Sequence, residues 1–312
     1  MSKCFFKCMF IAVLAMMASV SCGEQEKSYA PIMPESMLMR QLTQYNAEVA
    51  KSHPETRGIG RFTAIVSADF LGACDGAVKG ARIGFRAGML LGGRGLEGAA
   101  IGGTVMGLVC GAGASYAASA ALSSEEVAPE LDASFFISKG QFVRCRYLDS
   151  FPSGRGESAA LTELDLPEVA VSVGELHNEI LDIALEEDEA GAMVLLSSPP
   201  DLDSDDDSPS SSDLEAIIFD SAEMSDTCST LFDLYYSEGV SITENGLAAD
   251  VANTFLALIQ NYTLSLDDLA THINNYYHYI SESQELSDDD KNGLYCGLAV
   301  AYYSYEYWIG ND

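Results

Sequence analysis

The most regular pattern in this chain is a row of small residues at every fourth position between residues 61 and 124. Its first half consists of six glycines, Gly72, Gly76, Gly80, Gly84, Gly88 and Gly92. After a Gly93-Arg94-Gly95 turn, the row continues with Ala99, Gly103, Gly107, Gly111, Ser115 and Ser119. Glycine inside an isolated helix costs about 1 kcal/mol against alanine, so such a row needs a compensating contact. Close backbone approach between two helices supplies it, and we predict a helical hairpin over 61–124.

Each half of this segment has a second feature beside its small residues. In the first half, Lys79, Arg82 and Arg86 gather on the side of the helix away from the glycines. In the second half, no charged residue occurs from Gly98 to Ser124. That stretch is long enough to cross a bilayer but is poor in large apolar side chains.

The predicted hairpin has three interpretations. It inserts in or associates with a membrane, with its basic face toward water, anionic lipids or the lumen of an oligomer. Alternatively, it packs as a soluble hairpin against the rest of the protein, with the basic face toward acidic residues. In the third interpretation, it is released to act on other membranes.

The N-terminus has the pattern of an export signal over residues 1–21. Lys3 and Lys7 precede an apolar run, Met9 to Val20, that is too short to span a bilayer. The sequence Ser19-Val20-Ser21-Cys22 resembles a bacterial lipobox, although Ser19 stands where an aliphatic residue is usual. The resemblance implies an exported outer-membrane lipoprotein acylated at Cys22, facing the periplasm or the cell surface. Cleavage after Ser21 without acylation is the alternative.

Charge is distributed very unevenly along the 312 residues. Residues 1–155 contain 15 Lys and Arg against 13 Asp and Glu, whereas residues 156–312 contain one base, Lys291, and 34 acids. An excess of this size repels phosphate backbones, so the second half does not bind nucleic acid. It favours solubility and a basic partner, for which the first half of the chain is a candidate.

The remaining segments predict a mainly α fold, in which the glycine-zipper hairpin is joined to an acidic C-terminal helical bundle. We expect a polar tether with one short amphipathic helix over 22–60, and an irregular connector over 125–170 with a candidate strand pair at 134–138 and 141–147. Ser172 to Glu175 has capping-box spacing and predicts a helix over 171–187. An acidic disordered linker over 188–213 then leads to the bundle at 214–312. The predicted helices of the bundle cover 214–237, 245–262, 266–281 and 288–309, and the hydroxyls of Ser265 and Ser287 are the predicted N-caps of the last two.

The residues typical of catalysis or metal binding are not arranged for either. His272 and His278 are six residues apart, which does not place two ligands on one helical face. Asp201, Asp203 and Asp205 resemble the start of a calcium loop, but that loop's glycine and final glutamate are missing. We therefore expect a protein that is not an enzyme and requires no metal or cofactor.

The repeated Gly-xxx-Gly rows resemble the glycine-zipper segments of bacterial envelope lipoproteins and of small membrane-active peptides. The segments 173–181 and 297–308 are also similar to parts of exported glycine-zipper proteins of uncharacterised function. These resemblances imply contact with a membrane or with partner helices, and self-association, through the hairpin. We expect a non-enzymatic envelope lipoprotein; the alternative is a secreted membrane-active factor of the bacteriocin or pore-forming kind.

Overall fold

A computed structural model describes residues 36–53, 61–90, 93–122, 164–190, 246–262 and 264–309, and six positions between 222 and 230. Helix accounts for 90% of these residues and no strand occurs among them, which confirms the mainly α fold class. Seven helices have defined bounds: α1 (Met37–Ser52), α2 (Arg61–Leu90), α3 (Gly95–Leu122), α4 (Glu168–Ala190), α5 (Leu247–Asn261), α6 (Leu266–Glu282) and α7 (Asp288–Ile309).

The hairpin of α2 and α3 is the centre of the structure, and its turn depends on glycine. Gly93 has a φ of 86°, in the left-handed region that favours glycine. The amide of Arg94 donates to the carbonyl of Gly88 at 2.9 Å, which closes the end of α2. The Arg94 guanidinium then pairs with Glu97 in the first turn of α3.

The other helices pack around this hairpin and share its core. α7 lies against α2, where a Cβ on Gly297 would be 3.0 Å from the carbonyl oxygen of Phe70. α4 covers α7 and α3, and α1 packs on α5 and α6. The rings of Phe70, Phe255 and Tyr276 are buried, with centroid distances of 5.0 Å between Phe70 and Phe255 and between Phe255 and Tyr276. These rings connect α2, α5 and α6 through one core.

Two predicted helix starts agree with the structure because their side-chain caps form. Ser265 and Asp268 make a reciprocal capping box at the start of α6. At α7, the hydroxyl of Ser287 accepts the amide of Asp290 at 3.2 Å. Acids in both first turns lie where the helix dipole favours them.

The predicted start of α4 is wrong. The helix begins at Glu168, three residues before the predicted 171, and the hydroxyl of Ser172 donates to the carbonyl of Val169 instead of capping the helix. The carbonyl of Pro167 accepts the amides of Ala170 and Val171, so the first turn forms there.

Part of the predicted tether belongs to the packed body. Leu38, Leu42 and Val49 of α1 enter the core, so residues 36–53 are not a tether. The predicted boundary at residue 124 likewise separates the hairpin from the bundle in sequence but not in space, since α7 packs on α2. The signal peptide, Cys22, Gly92, the strand pair, most of the 125–170 connector and nearly all of the acidic linker lie outside the described residues.

Candidate functional site

Five of the predicted glycines of α2 lie directly against the backbone of α3 or its preceding turn. A Cβ on Gly72 would lie 2.5 Å from the carbonyl oxygen of Cys110. Gly76, Gly80, Gly84 and Gly88 are closer still to the carbonyl oxygens of Met106, Gly102, Gly98 and Arg94. No side chain fits at such distances, so the seam between α2 and α3 requires glycine on α2.

The closest row on α3 is shifted by one residue from the predicted one. It consists of Gly98, Gly102, Met106 and Cys110. The predicted residues Gly103, Gly107 and Gly111 lie beside the seam, where a Cβ would be 3.1, 3.2 and 3.3 Å from its nearest neighbour. The physical reason is that the seam residues of α2 are glycines without side chains. This leaves room for Met106 and Cys110 of α3 at the closest approach.

The part of the hairpin away from its turn, which we call the shaft, is enclosed by the other helices. Among the described residues, one segment, Gly95–Ala120 of α3, is long and apolar enough to cross a membrane. Of its most apolar window, 89% is buried inside the protein. A core helix can meet the length and composition criteria for a membrane span equally well, and α3 lies in the core.

The three predicted basic residues lie on the outer face of α2. Arg82 and Arg86 are exposed, and Lys79 is half-buried with its ammonium 3.9 Å from the carboxylate of Asp75. Arg82 lines a cavity of about 220 Å³ together with Asp75 and Asp290. The basic face therefore borders acidic residues at the start of α7, although Arg82 and Arg86 stay open to solvent.

The tip of the hairpin exposes large apolar side chains. Phe85 is 43% exposed, Met89 53%, Leu90 87% and Leu96 84%. Carbons of Phe85 and the sulfur of Met89 lie 2.7 to 2.9 Å from the Cβ position of Gly95, so both side chains gather over the turn. Isolated exposed leucines are common, but here four large exposed apolar residues occur at the same end of the hairpin. We call these four residues the tip patch.

A groove of about 540 Å³ begins at the tip patch and runs between the starts of α4 and α7. Its lining includes Leu96, Ala100 and Gly103 of α3, Val169 of α4, and Tyr295 of α7. Small residues on α3 leave this space open. The groove is therefore continuous with the tip patch.

A buried polar cluster connects the hairpin to α4 and α7. One carboxyl oxygen of Asp69 accepts hydrogen bonds from the hydroxyl of Ser115, at 2.9 Å, and from that of Ser304. The Nε2 of His177 lies 3.8 Å from the same oxygen, beyond hydrogen-bond distance. Trp308 donates to Ser115 at 3.2 Å. Four helices thus meet at Asp69.

Burial governs the ionisation of this cluster. It raises the pKa of Asp69 well above its usual value, while the two hydroxyl hydrogen bonds oppose the rise. It lowers the pKa of His177 to about 4, against the hydrogen bond between Nδ1 and Asn178. Both groups favour their neutral forms. His177 and Asp69 are fully enclosed, so neither group is open to solvent in this structure.

A second polar cluster forms hydrogen bonds between α1 and α6. The hydroxyl of Tyr45 and the Nδ1 of His272 are 2.6 Å apart, and Asn275 donates to the same hydroxyl at 3.2 Å. His53 lies 3.7 Å from Asp268. Burial lowers the pKa of His272 to about 4 and raises that of Tyr45 to about 12.

The described residues contain no group of three His, Cys, Asp or Glu side chains that could hold a metal ion. Three cysteines in this part of the chain, Cys74, Cys110 and Cys296, are buried and form no disulfide. Burial raises the pKa of Cys296 to about 12, which leaves it a protonated thiol.

The sequence pattern missed the tip patch and the Asp69 cluster. Asp69 offered a signal, because it stands alone in the apolar run 62–74. The tip residues offered none, since Phe85, Met89 and Leu90 resemble the core residues of any apolar helix.

No family model, curated protein or solved structure matches this chain.

Proposed function

We propose that this chain is a non-enzymatic protein of the bacterial cell envelope, lipid-anchored through Cys22, that associates with a membrane through its glycine-zipper hairpin. The tip patch makes the contact, and the hairpin shaft stays packed among the other helices. The anchor and the address rest on the N-terminal sequence alone. The non-enzymatic character rests on the spacing of the histidines and acids in the sequence.

The observation that supports membrane contact most directly is the difference in burial between the shaft of the hairpin and its turn. α3 is almost entirely enclosed, whereas Leu90 and Leu96 at the turn are 87% and 84% exposed. Exposed apolar patches of this kind favour contact with a membrane or another protein. Peripheral association through the tip keeps the shaft in its buried position, so it needs no unfolding of the core.

Flotation with vesicles tests this proposal. The mature chain carrying Cys22→Ser has no acyl anchor, so any flotation with vesicles of phosphatidylethanolamine and phosphatidylglycerol reports contact by the protein itself. We expect it to float. A chain that stays at the bottom of the gradient would remove the hairpin from the proposed function and leave the lipid anchor alone.

A matched pair of variants locates the contact. Leu90→Ser with Leu96→Ser removes the most exposed part of the tip patch and should weaken vesicle binding at least about tenfold, since each buried leucine contributes about 2 kcal/mol. Met37→Ser removes another large exposed apolar side chain, 59% exposed and located on α1. That control should bind as the unaltered chain does, and an equal loss in both variants would contradict contact by the tip.

The alternative function is a secreted membrane-active factor, for which the length and composition of Gly95–Ala120 are sufficient. This function requires the hairpin to leave the helical body and cross the bilayer. Release of dye from loaded vesicles by the purified chain would support it. Retention of the dye under conditions where the chain floats with vesicles would exclude it in favour of peripheral contact.

A further inference from the structure

The basic residues near the tip patch have acidic neighbours or other partners of their own. Four bases lie between residues 76 and 96, namely Lys79, Arg82, Arg86 and Arg94. Asp75 lies 3.9 Å from the ammonium of Lys79, and Glu97 pairs with Arg94. Arg82 lines its cavity together with Asp75 and Asp290, and Arg86 interacts with another residue. Within the described part of the chain, these bases therefore leave no surplus of positive charge beside the tip patch.

Negative charge, in contrast, is present where the tip patch meets the groove. Asp288 and Asp289 line the groove that begins at Leu96. Asp288 is exposed and Asp289 is half-buried. Lys291 on the same turn donates to the carbonyl of Ser281 at 3.2 Å. The formal net charge of the chain is −31, so both the protein as a whole and the surroundings of Leu96 disfavour an anionic surface.

We propose that the tip patch docks on the surface of a zwitterionic phospholipid bilayer, which carries no net charge, and that anionic lipid weakens this contact. The inference rests on the proposed membrane association and names the lipid class that the association requires. The four side chains of the tip patch enter the boundary between headgroups and acyl chains, to a depth of about 5–10 Å. Burial of their apolar area stabilises the bound state, and a negative surface potential opposes it.

A second copy of the chain matches the tip patch less well than a neutral bilayer does. The four side chains together expose on the order of 500 Å², whereas each partner in a stable protein interface buries about 800 Å². Two copies would also bring together two chains that each have a net charge of −31. A zwitterionic bilayer accepts separate apolar side chains and adds no net charge.

The position of the two aspartates makes this contact sensitive to the charge of the lipid. When Leu96 is inserted, the groove that it shares with Asp288 and Asp289 faces the headgroups. A surface potential decays over about 10 Å at 0.1 M salt, so it acts on both carboxylates. A single charge near an anionic surface changes the affinity about fivefold, and for a carboxylate the change is a loss.

The experiment compares two neutralised acid pairs in the full mature chain carrying Cys22→Ser. Asp288→Asn with Asp289→Asn removes the carboxylates beside the tip patch. Asp267→Asn with Glu306→Gln removes two exposed acids near the opposite end of α7 and changes the net charge equally. Binding is measured by cosedimentation with vesicles of phosphatidylcholine, with and without phosphatidylglycerol. Circular dichroism and urea unfolding establish that both variants are folded.

We expect the chain with all four acids to bind phosphatidylcholine vesicles, and to bind about fivefold more weakly when phosphatidylglycerol is present. The Asp288 and Asp289 variant should bind both kinds of vesicle equally, within about twofold, whereas the Asp267 and Glu306 variant should keep the fivefold difference. Added salt should reduce this difference because it screens the surface potential. Binding to phosphatidylcholine should be the same in all three chains, since their exposed apolar area is the same.

Three results would overturn the inference. Equal or tighter binding to vesicles with phosphatidylglycerol would remove the preference for neutral lipid while leaving membrane association in place. Loss of the preference in both acid variants would show a response to net charge and not to the aspartates beside the tip patch. A chain that binds neither kind of vesicle would remove the proposed membrane contact as well, and its sedimentation as an oligomer would make the tip an interface between copies.

Discussion

Asp69 and His177 show how this protein holds polar groups inside its core. Burial without a compensating opposite charge favours the neutral form of each, since an isolated buried charge is costly. Their separation of 3.8 Å resembles an ion pair, but the lowered pKa of His177 and the raised pKa of Asp69 favour a neutral contact. Hydroxyl groups of Ser115 and Ser304, not a cation, donate to the Oδ2 of this carboxyl, whereas its buried Oδ1 has no hydrogen-bond partner.

Replacing His177 should flatten the dependence of stability on pH. Its pKa is about 4 in the folded chain against an ordinary 6.5, so the unfolded chain takes up the proton first as pH falls. The stability that the neutral ring contributes is present above pH 6.5 and is lost between 6.5 and 4. Between about pH 7.5 and about pH 5 the loss is about 2 kcal/mol. As pH falls from about 7.5 to about 5, the free energy of unfolding of His177→Gln, measured with urea, should decrease by about 2 kcal/mol less than that of the unaltered chain.

The matched control for this experiment is His278→Gln, which makes the same substitution at an exposed histidine on α6, so an equal change in both variants would contradict an effect of burial. His272, whose pKa burial also lowers to about 4, leaves part of the dependence in the His177 variant. A His177→Gln chain with an unchanged pH dependence would show that folding does not lower the pKa of this ring.

At the scale of the helices, two glycines that look alike in the sequence, Gly84 and Gly107, should differ in how much an alanine substitution destabilises the protein. A methyl at Gly84 would overlap the carbonyl oxygen of Gly98, which is backbone and cannot turn aside. Gly84→Ala should therefore lower the free energy of unfolding by about 1–3 kcal/mol, despite the better helix propensity of alanine. At Gly107 the nearest atom is the Cβ of Ala77 at 3.2 Å. Gly107→Ala should stay within about 1 kcal/mol of the unaltered chain.

Thermal or urea unfolding of the two alanine variants measures this difference. A result in which Gly107→Ala costs more than Gly84→Ala would place Gly107, and not Gly98 and Gly102, at the closest approach of α3 to α2. Circular dichroism at neutral pH shows whether both variants keep their helix content.

The sequence was most informative where the signal is local. Ser265 and Ser287 predicted the starts of α6 and α7 because a cap needs only the next three residues. The four-residue glycine spacing predicted the hairpin for the same reason. The start predicted from Ser172 was wrong because Ser172 and Glu175 have capping-box spacing without forming a cap. Leu164 and Leu166 are buried in the core, and α4 begins directly after Pro167.

At the scale of the whole molecule, the contacts that a single sequence hides are long-range ones. Asp69 meets residues on three other helices, and Ser304 is 235 positions away along the chain. Phe255 reaches Phe70 across a similar gap. No local pattern contains such pairings, so the hairpin and the acidic helices were predicted as separate domains although they share one core. The described residues from Ser36 onward thus belong to one helical unit that includes the hairpin.

This architecture predicts how the protein responds to a bilayer as a whole. If only the tip patch enters the membrane, amide hydrogen exchange on binding vesicles should slow around residues 88–96 and stay unchanged in the middle of α3. α7 should also keep its protection, because Gly293 and Gly297 remain packed against Cys74 of α2. Insertion of the entire hairpin would instead uncover α7, and its amides would exchange faster. The chain without vesicles supplies the control. Faster exchange throughout α7 with vesicles would mean that the hairpin leaves the body, and the secreted membrane-active function would then be the better account.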